Sequence, residues 1–397
     1  MNNPQPLHGV RVLVSGAGVA GPALAYWLTR YGAETTVVES ARALRASGFA
    51  VDFRGPTHLG VLTKMGVLDE LRAVQTHGGA MACVDEHDKE IFRLPEAFAG
   101  GDIEVYRRDL SRVLYEHSAE RAEYLFGDLI TNLTETADGV HVDFARSASR
   151  TVDLVVGADG LHSGVRRLAF GPESGFVKHL GYYLAGWDMA DTIGAGVTPH
   201  QFNVPGRMAS IAADQQKAGR ATALMVFTSP RLDHDNWPDV DQQKKIVADT
   251  YRDLGWHVPQ LLDGLWDADE LYFDTICRVH VPQWTTSRVA LLGDAAWGVT
   301  LGGMGVGTGL VGAHVLAGEL AQANGDHAAA LTRYEDKMRR YAGKWQRGAS
   351  PGQFLAPSTA TRLRMRNAMF RRRFMQRMLV SSSKFLATDP GLPEYPA

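Results

Sequence analysis

An α/β fold, with a parallel sheet interleaved with a second β-rich domain and followed by a C-terminal helix, is predicted by three observations. Short apolar strands near both ends of the chain run into glycine-bearing turns and then helical stretches. The middle, from about 175 to 279, breaks instead into brief β-rich segments separated by turns. Its 397 residues are long for one domain and supply material for two cores.

The first element is the strand RVLVS at 11–15, followed by Gly16, Gly18 and Gly21 and then a helical stretch over 22–31. TTVVE at 35–39 is a second strand that ends in the acid Glu39. Strand, GxGxxG, helix, strand and acid in that order are what a dinucleotide requires. Gly16 permits the tight turn, Gly18 lets backbone approach a pyrophosphate, and Gly21 lets helix pack on strand. Free N–H groups at the helix start face the phosphates, and Glu39 is placed to accept from the two ribose hydroxyls. This predicts a Rossmann-like dinucleotide domain.

After Glu39, a loop with Arg42 and Arg45 leads to GFAVDFRG at 48–55, and residues 57–74 carry apolar positions at helical spacing. Residues 80–94 alternate loosely as strands of the second sheet. A helix is predicted over 106–117 from Leu110, Val113 and Leu114, and strands over 125–144. Residues 151–156 read as one further strand feeding GADG at 157–160. In the middle region, YYLAGWDM (182–189), MASIAA (208–213) and TALMVFTS (222–229) are strands, with one helix around 242–254. VALLG (289–293) returns to the first sheet, carries GDAA at 293–296, and precedes a helix over 307–324. The expected domains are therefore 1–74, 104–174 and 280–345 for the dinucleotide, 75–103 and 175–279 for the substrate, and 346–397 for a C-terminal helical segment.

Composition narrows the classes. Hydrophobic residues at 45% and charged ones at 21% describe a globular protein, and a net charge of −3 gives no electrostatic case for nucleic acid. Two cysteines, Cys83 and Cys277, are too few for a disulfide scaffold, so a cytoplasmic protein is expected. The apolar run 289–320 is interrupted by Asp294 and rich in glycine, so no membrane partner is expected from it. Residues 362–377 hold seven arginines among apolar residues, and are taken as a solvated helix packed on the body. A second GxGxxG at 307–312 is discounted, since no strand directly precedes it.

GAGVAG with Glu39, YRRDLSRVL with Arg107, VVGADGLHSGVRR at 155–167 and RVALLGDAA at 288–296 together resemble the single-component aromatic-hydroxylase-like flavoprotein monooxygenases. The resemblance covers nearly the whole chain. It implies FAD as cofactor, NAD(P)H as a transient co-substrate, and a small organic substrate with O2, in a monomer or homodimer. It places Gly16, Gly18 and Gly21 on the pyrophosphate, Glu39 on the ribose, and Arg45 and Arg107 toward the cofactor. Arg107 rather than Arg108 lies three positions before Leu110, as in the family. Asp159 belongs to the family's DG motif, with Arg166 on the helix after it, and Asp294 to the GD motif at the ribityl chain. The turn and helix start from Gly303 through Gly305, Val306 and Gly307 lies beneath the isoalloxazine ring, where N–H groups can stabilise the charge of reduced flavin.

Asp294 has an independent case, since a carboxylate at the end of a buried strand needs hydroxyls or N–H groups to satisfy it. Met225 and Phe227, sharing a strand face, and Trp297 are expected to contact substrate. His179, His200, His234 and Asp188 lie in the substrate domain, and no general base is assigned among them. The implied chemistry is oxygen uptake at C4a of reduced flavin and delivery of one oxygen atom to an aromatic, polyketide or antibiotic-like molecule. After GDAA the chain has Trp297, Gly298, Val299, Thr300 and Leu301, without the family's His or Tyr and prolines. This loop is therefore expected to be less constrained than usual. It motivates one alternative, FAD retained for a cyclisation or rearrangement; a second alternative is a flavin dehydrogenase or reductase.

Overall fold

The computed structural model describes residues 5–44, 49–76, 80–232, 239–302, 304–323, 325–346, 349–388, 391 and 393–395. A five-stranded sheet runs in the order Val289–Leu291, Leu154–Gly157, Arg11–Ser15, Glu34–Glu39, Glu123–Phe126, and every pairing in it is parallel. Its strands read as near-continuous apolar runs because helices cover both faces. Leu13, Val14, Val37, Val155 and Leu291 are all fully buried. Since all five strands point the same way, the turns that leave them emerge on one edge. Gly16, Glu39, Asp159 and Asp294 therefore come from distant sequence to neighbouring positions, with Ser15 in register with both Val38 and Gly157, and Gly157 with Leu291.

The expected strand over 151–156 is two strands. Arg150–Val152 pairs antiparallel with Gly139–Phe144 in a three-stranded sheet, whereas Leu154–Gly157 joins the parallel sheet. Asp153 stands at the break, where its carboxylate accepts from the backbone N–H of Arg11 at 2.8 Å and from its guanidinium at 2.9 Å. The helical stretch expected over 57–74 is likewise divided. Gly66, at φ +75°, ends helix Gly55–Met65 in the left-handed conformation, and a second helix, Leu68–Ala73, follows.

The second sheet has seven strands in the order Tyr272–Val279, Val177–Ala190, Arg220–Thr228, Arg207–Ala213, His200–Val204, Ala82–Val84, Glu90–Arg93. Helices Val240–Tyr251 and Val258–Trp266 cover one face over a core of Tyr183, Ala185, Trp187, Met225 and Phe227. The opposite face carries Tyr182, Leu184, Met208 and Val226, packed with Phe49, Leu224 and Tyr272.

Helix Gly305–Gln322 runs through the middle of the main core with fifteen buried residues, which explains why its sequence is apolar on every side. No helix among the described residues is long and apolar enough to cross a membrane. The tail forms two helices, Ala360–Phe370 and Arg373–Ala387, where one was expected.

Candidate FAD and substrate site

The glycine turn is shaped by contacts that exclude side chains. A Cβ on Gly16, whose φ is +105°, would stand 2.6 Å from the Ala158 carbonyl oxygen, and one on Gly21 would stand 1.9 Å from the Gly16 oxygen. Gly18 differs. Its Cβ would meet only Nη2 of Arg107, at 3.6 Å, so the space beside it belongs to no other described residue. Glu39 closes the turn from the neighbouring strand, accepting from the N–H groups of Ala17 at 2.8 Å and Ala41 at 2.9 Å and from the Ser40 hydroxyl at 3.2 Å. A carboxylate has about four acceptor positions, so one on Oε2 stays available for a ribose hydroxyl.

Arg107 begins helix Arg107–Ala119. Its guanidinium makes no hydrogen bond or ion pair among the described residues, yet lies beside Gly18 and close enough to Asp294 to favour that residue's charged form. Arg108 is committed elsewhere, to Asp214 at 3.2 Å and to the Gln216 side chain at 2.9 Å. Burial pushes the Asp294 carboxyl above the usual carboxylate range, and no described residue donates a hydrogen bond to it. It faces the first turn of the central helix, where a Cβ on Gly305 would stand 3.0 Å from Oδ1. A half-buried carboxylate without a described donor, a cation without an anion, an open glycine and a helix N-terminus together fit a hydroxyl-rich diphosphate such as FAD.

Other expected site residues are held by internal contacts. The Asp159 carboxylate accepts from the Ser163 hydroxyl, the Ser15 hydroxyl at 3.3 Å and the Val165 N–H at 3.0 Å. These bonds shape the DG turn, and one acceptor position on Oδ1 stays open, as on Glu39. Arg166, fully buried, donates to the carbonyls of Ala295 at 2.9 Å and Leu161 at 2.6 Å, tying the DG helix to the GD turn. Gly307 is required by packing, since a Cβ there would fall 2.2 Å from the buried His58 ring. Val306 is part-buried on the first turn of the helix. The GTGLVG at 307–312 lies wholly inside this helix. Arg45, Gly303 and His234 fall outside the described residues.

The substrate residues need correction. Met225 and Phe227 are 0% and 2% exposed under the two covering helices, with Phe227 stacked on Tyr183 and tilted against Phe273. Adjacent residues on a strand face opposite ways, so Leu224 and Val226 look to the other face, among Phe49, Tyr182 and Tyr272. Trp297 is also core. It is wholly buried, donates from Nε1 to the Thr308 hydroxyl at 3.2 Å, and packs on Trp284 with centroids 4.8 Å apart. The loop that follows is not loose, because it is stitched to strand Tyr272–Val279. Val279 N–H donates to the Gly298 carbonyl at 2.8 Å, Thr300 N–H to Cys277 at 3.1 Å and the Thr300 hydroxyl to Thr275 at 3.0 Å. These bonds fix the backbone without proline.

The strand register reveals a row that sequence reasoning missed. Tyr272, Gly186, Leu224, Ser210 and Gln201 are successive neighbours across five strands, on the face opposite the covering helices. Phe49 lies over Gly186, whose Cβ would stand 2.0 Å from its ring, and its carbonyl accepts from the Arg107 N–H. This ties the row to the flavin side. Ser210 and Gln201 are 5% and 6% exposed, and neither side chain has a hydrogen-bond partner among the described residues. A polar residue alternating with apolar ones inside a buried strand was the available signal.

His162, just after the DG turn, bridges the two domains. Its ring lies 3.0 Å from both Glu173 and Asp274, and these carboxylates, Asp274 foremost, push its pKa up to about 10. The other expected polar candidates are engaged: His179 with the Ser229 carbonyl at 2.9 Å, Asp188 with the Thr222 hydroxyl at 2.8 Å, and His200 near Asp88 at 3.5 Å.

A family model described as FAD binding domain matches residues 9–349. The chain belongs to this family. Among relatives, an uncharacterized protein of Mycobacterium tuberculosis is 37% identical over 84% of this chain and 91% of its own. A flavin-dependent monooxygenase of Legionella longbeachae is 34% identical over 84% and 86%. The crystal structure of tetracycline destructase Tet(55) superposes with a TM-score of 0.80 at 30% identity, covering 97% of this chain and 98% of that one. The family member described here is thus a flavoprotein monooxygenase of the single-component FAD hydroxylase type, and the cradle around Gly18, Arg107 and Asp294 fits its cofactor.

Proposed function

We propose that this flavoprotein uses NAD(P)H and O2 to insert one oxygen atom into a bulky, uncharged aromatic or polyketide-like molecule held against the row Tyr272 to Gln201. The supporting observation is the adjacent pair Ser210 and Gln201, largely buried as residues, without hydrogen-bond partners among the described residues and with polar atoms still open, on the sheet face opposite the covering helices. Open polar atoms on an otherwise apolar, largely buried row are placed to bind a ligand carrying neighbouring donor and acceptor oxygens. Asp188, two residues from Gly186 on the same strand face, disfavours an anionic substrate.

FAD, when bound, supplies reduction by the nicotinamide and activation of dioxygen. The chain supplies the rest. Gly16, Gly18 and Gly21 admit the pyrophosphate, Arg107 offsets its charge, and Glu39 and Asp294 accept from the ribose and ribityl hydroxyls. The start of helix Gly305–Gln322 presents N–H groups and a positive dipole end. Phe49, Leu224 and Tyr272 exclude water from the oxygen-transfer space. The likeness to a tetracycline destructase favours a polycyclic substrate.

The test is a turnover screen of polycyclic phenols and enolic polyketides under isotopically labelled dioxygen. Nicotinamide consumption coupled to a labelled product is expected. A product lacking label, from a substrate that still accelerates nicotinamide oxidation, would instead identify a dehydrogenase.

A further inference from the structure

From 358 to 388 the sequence contains eight cationic side chains and no Asp or Glu. Among the described residues only Lys384 of these eight has a carboxylate partner, Asp102 at 2.9 Å. Arg366 is buried and donates to the carbonyls of Phe354 and Leu355. Arg362, Arg364, Arg371, Arg372, Arg373 and Arg377 are exposed and pair with no carboxylate among the described residues. The same two helices hold five strongly exposed large apolar residues: Met365 at 67%, Met369 at 39%, Phe374 at 73%, Met378 at 51% and Phe385 at 78%.

On helix Arg373–Ala387 these are ordered rather than scattered. Phe374, Met378 and Phe385 fall within about 40° of one another around the axis, and Arg373, Arg377 and Lys384 form a flank about 100° away. The other side is inner, with Leu379 packed against the cluster of Cys83, Phe92 and Phe370, and Ser383 accepting from Arg54. Cys83 is the register partner of Gln201. An exposed apolar ridge bordered by uncompensated cations matches the boundary of an anionic bilayer, where rings enter the acyl region and guanidinium groups meet phosphates. A nucleic acid would match the charge but leave the ridge in water.

We propose that helix Arg373–Ala387 docks reversibly on anionic lipid surfaces, lying in the interface with Phe374, Met378 and Phe385 inserted. This departs from the sequence reading, in which the tail is a solvated helix. The docked element packs on the sheet edge beside the Gln201 row.

The FAD-loaded protein is sedimented with vesicles of phosphatidylcholine, with and without phosphatidylglycerol. It should pellet with the anionic vesicles, stay in solution with the neutral ones, and be released at about 1 M salt, where the Debye length is about 3 Å. The variant Phe374→Ser/Met378→Ser/Phe385→Ser should lose partitioning at least about tenfold while keeping its melting temperature and flavin spectrum. Arg372→Gln/Arg373→Gln/Arg377→Gln should lose about a hundredfold. Equal binding to both vesicle types, or no binding, overturns the proposal. So does DNA binding without vesicle binding, or a dimer that the triple Ser variant dissociates.

Discussion

A Cβ on Gly305 would stand 3.0 Å from Oδ1 of Asp294, so the first turn of the central helix and the half-buried carboxylate of the GD motif close on one small space. No described donor enters that space, which leaves it for a ligand's hydroxyls. The glycine turn, Arg107 and Asp294 therefore act as one cradle, and the two glycine types within it separate folding from binding.

Gly18→Val should leave the apoprotein's melting temperature nearly unchanged, because the new side chain meets only the end of Arg107. FAD affinity should fall at least about tenfold through loss of the phosphate approach. Gly21→Ala should do the reverse of the first effect: its Cβ, 1.9 Å from the Gly16 oxygen, should destabilise the apoprotein by about 3 kcal/mol or more. Calorimetry of the two apoproteins beside FAD titration checks both.

Gln201→Leu with Ser210→Ala removes two polar side chains that have no hydrogen-bond partner among the described residues. The expected outcome is a melting temperature equal to or above that of the parent, FAD retained, and kcat/KM for the organic substrate reduced by about tenfold or more. A destabilised double variant would mean the pair is satisfied within the protein.

Met225→Ala should cost about 2–5 kcal/mol of stability with no change in flavin spectrum, because Met225 lies in the core under helices Val240–Tyr251 and Val258–Trp266. Chemical denaturation measures the first and absorbance the second.

His58 is buried, accepts at Nδ1 from the Arg54 N–H and lies 2.9 Å from the Tyr341 hydroxyl, which donates to the Ala387 carbonyl. Burial lowers its pKa from 6.5 to about 4. As pH falls below 6.5 the unfolded chain takes up a proton that the folded chain refuses until about 4, so stability falls across that window, by about 3 kcal/mol at most. His58→Gln should flatten this part of the acid limb in urea titrations between pH 7 and 4, whatever its effect at neutral pH.

The parallel sheet, the turn at Gly16 and the placing of Glu39 and Asp294 at strand ends were legible, because strand, glycine and acid succeed one another locally and parallel strands bring their ends together. The facing of Met225 and Phe227 was not. Both faces of strand Arg220–Thr228 are buried, so Leu224, Met225, Val226 and Phe227 are all apolar and alternation loses its meaning. Trp297 misled for a related reason, since sequence proximity to GDAA does not reveal that its ring turns inward onto Trp284 and Thr308. The hydrogen bonds that Thr300 makes to strand Tyr272–Val279 are long-range, so the missing prolines suggested a looseness that the backbone lacks.

The most direct test of the shared cradle is fluorescence titration of the apoprotein with FAD, comparing the parent with Asp294→Ala. Loss of a charged acceptor for the ribityl hydroxyls should weaken binding at least about tenfold and yield protein that bleaches on desalting, with secondary structure intact. Equal affinity in the two proteins would contradict the account, since the carboxylate it assigns to the ribityl chain would then hold nothing.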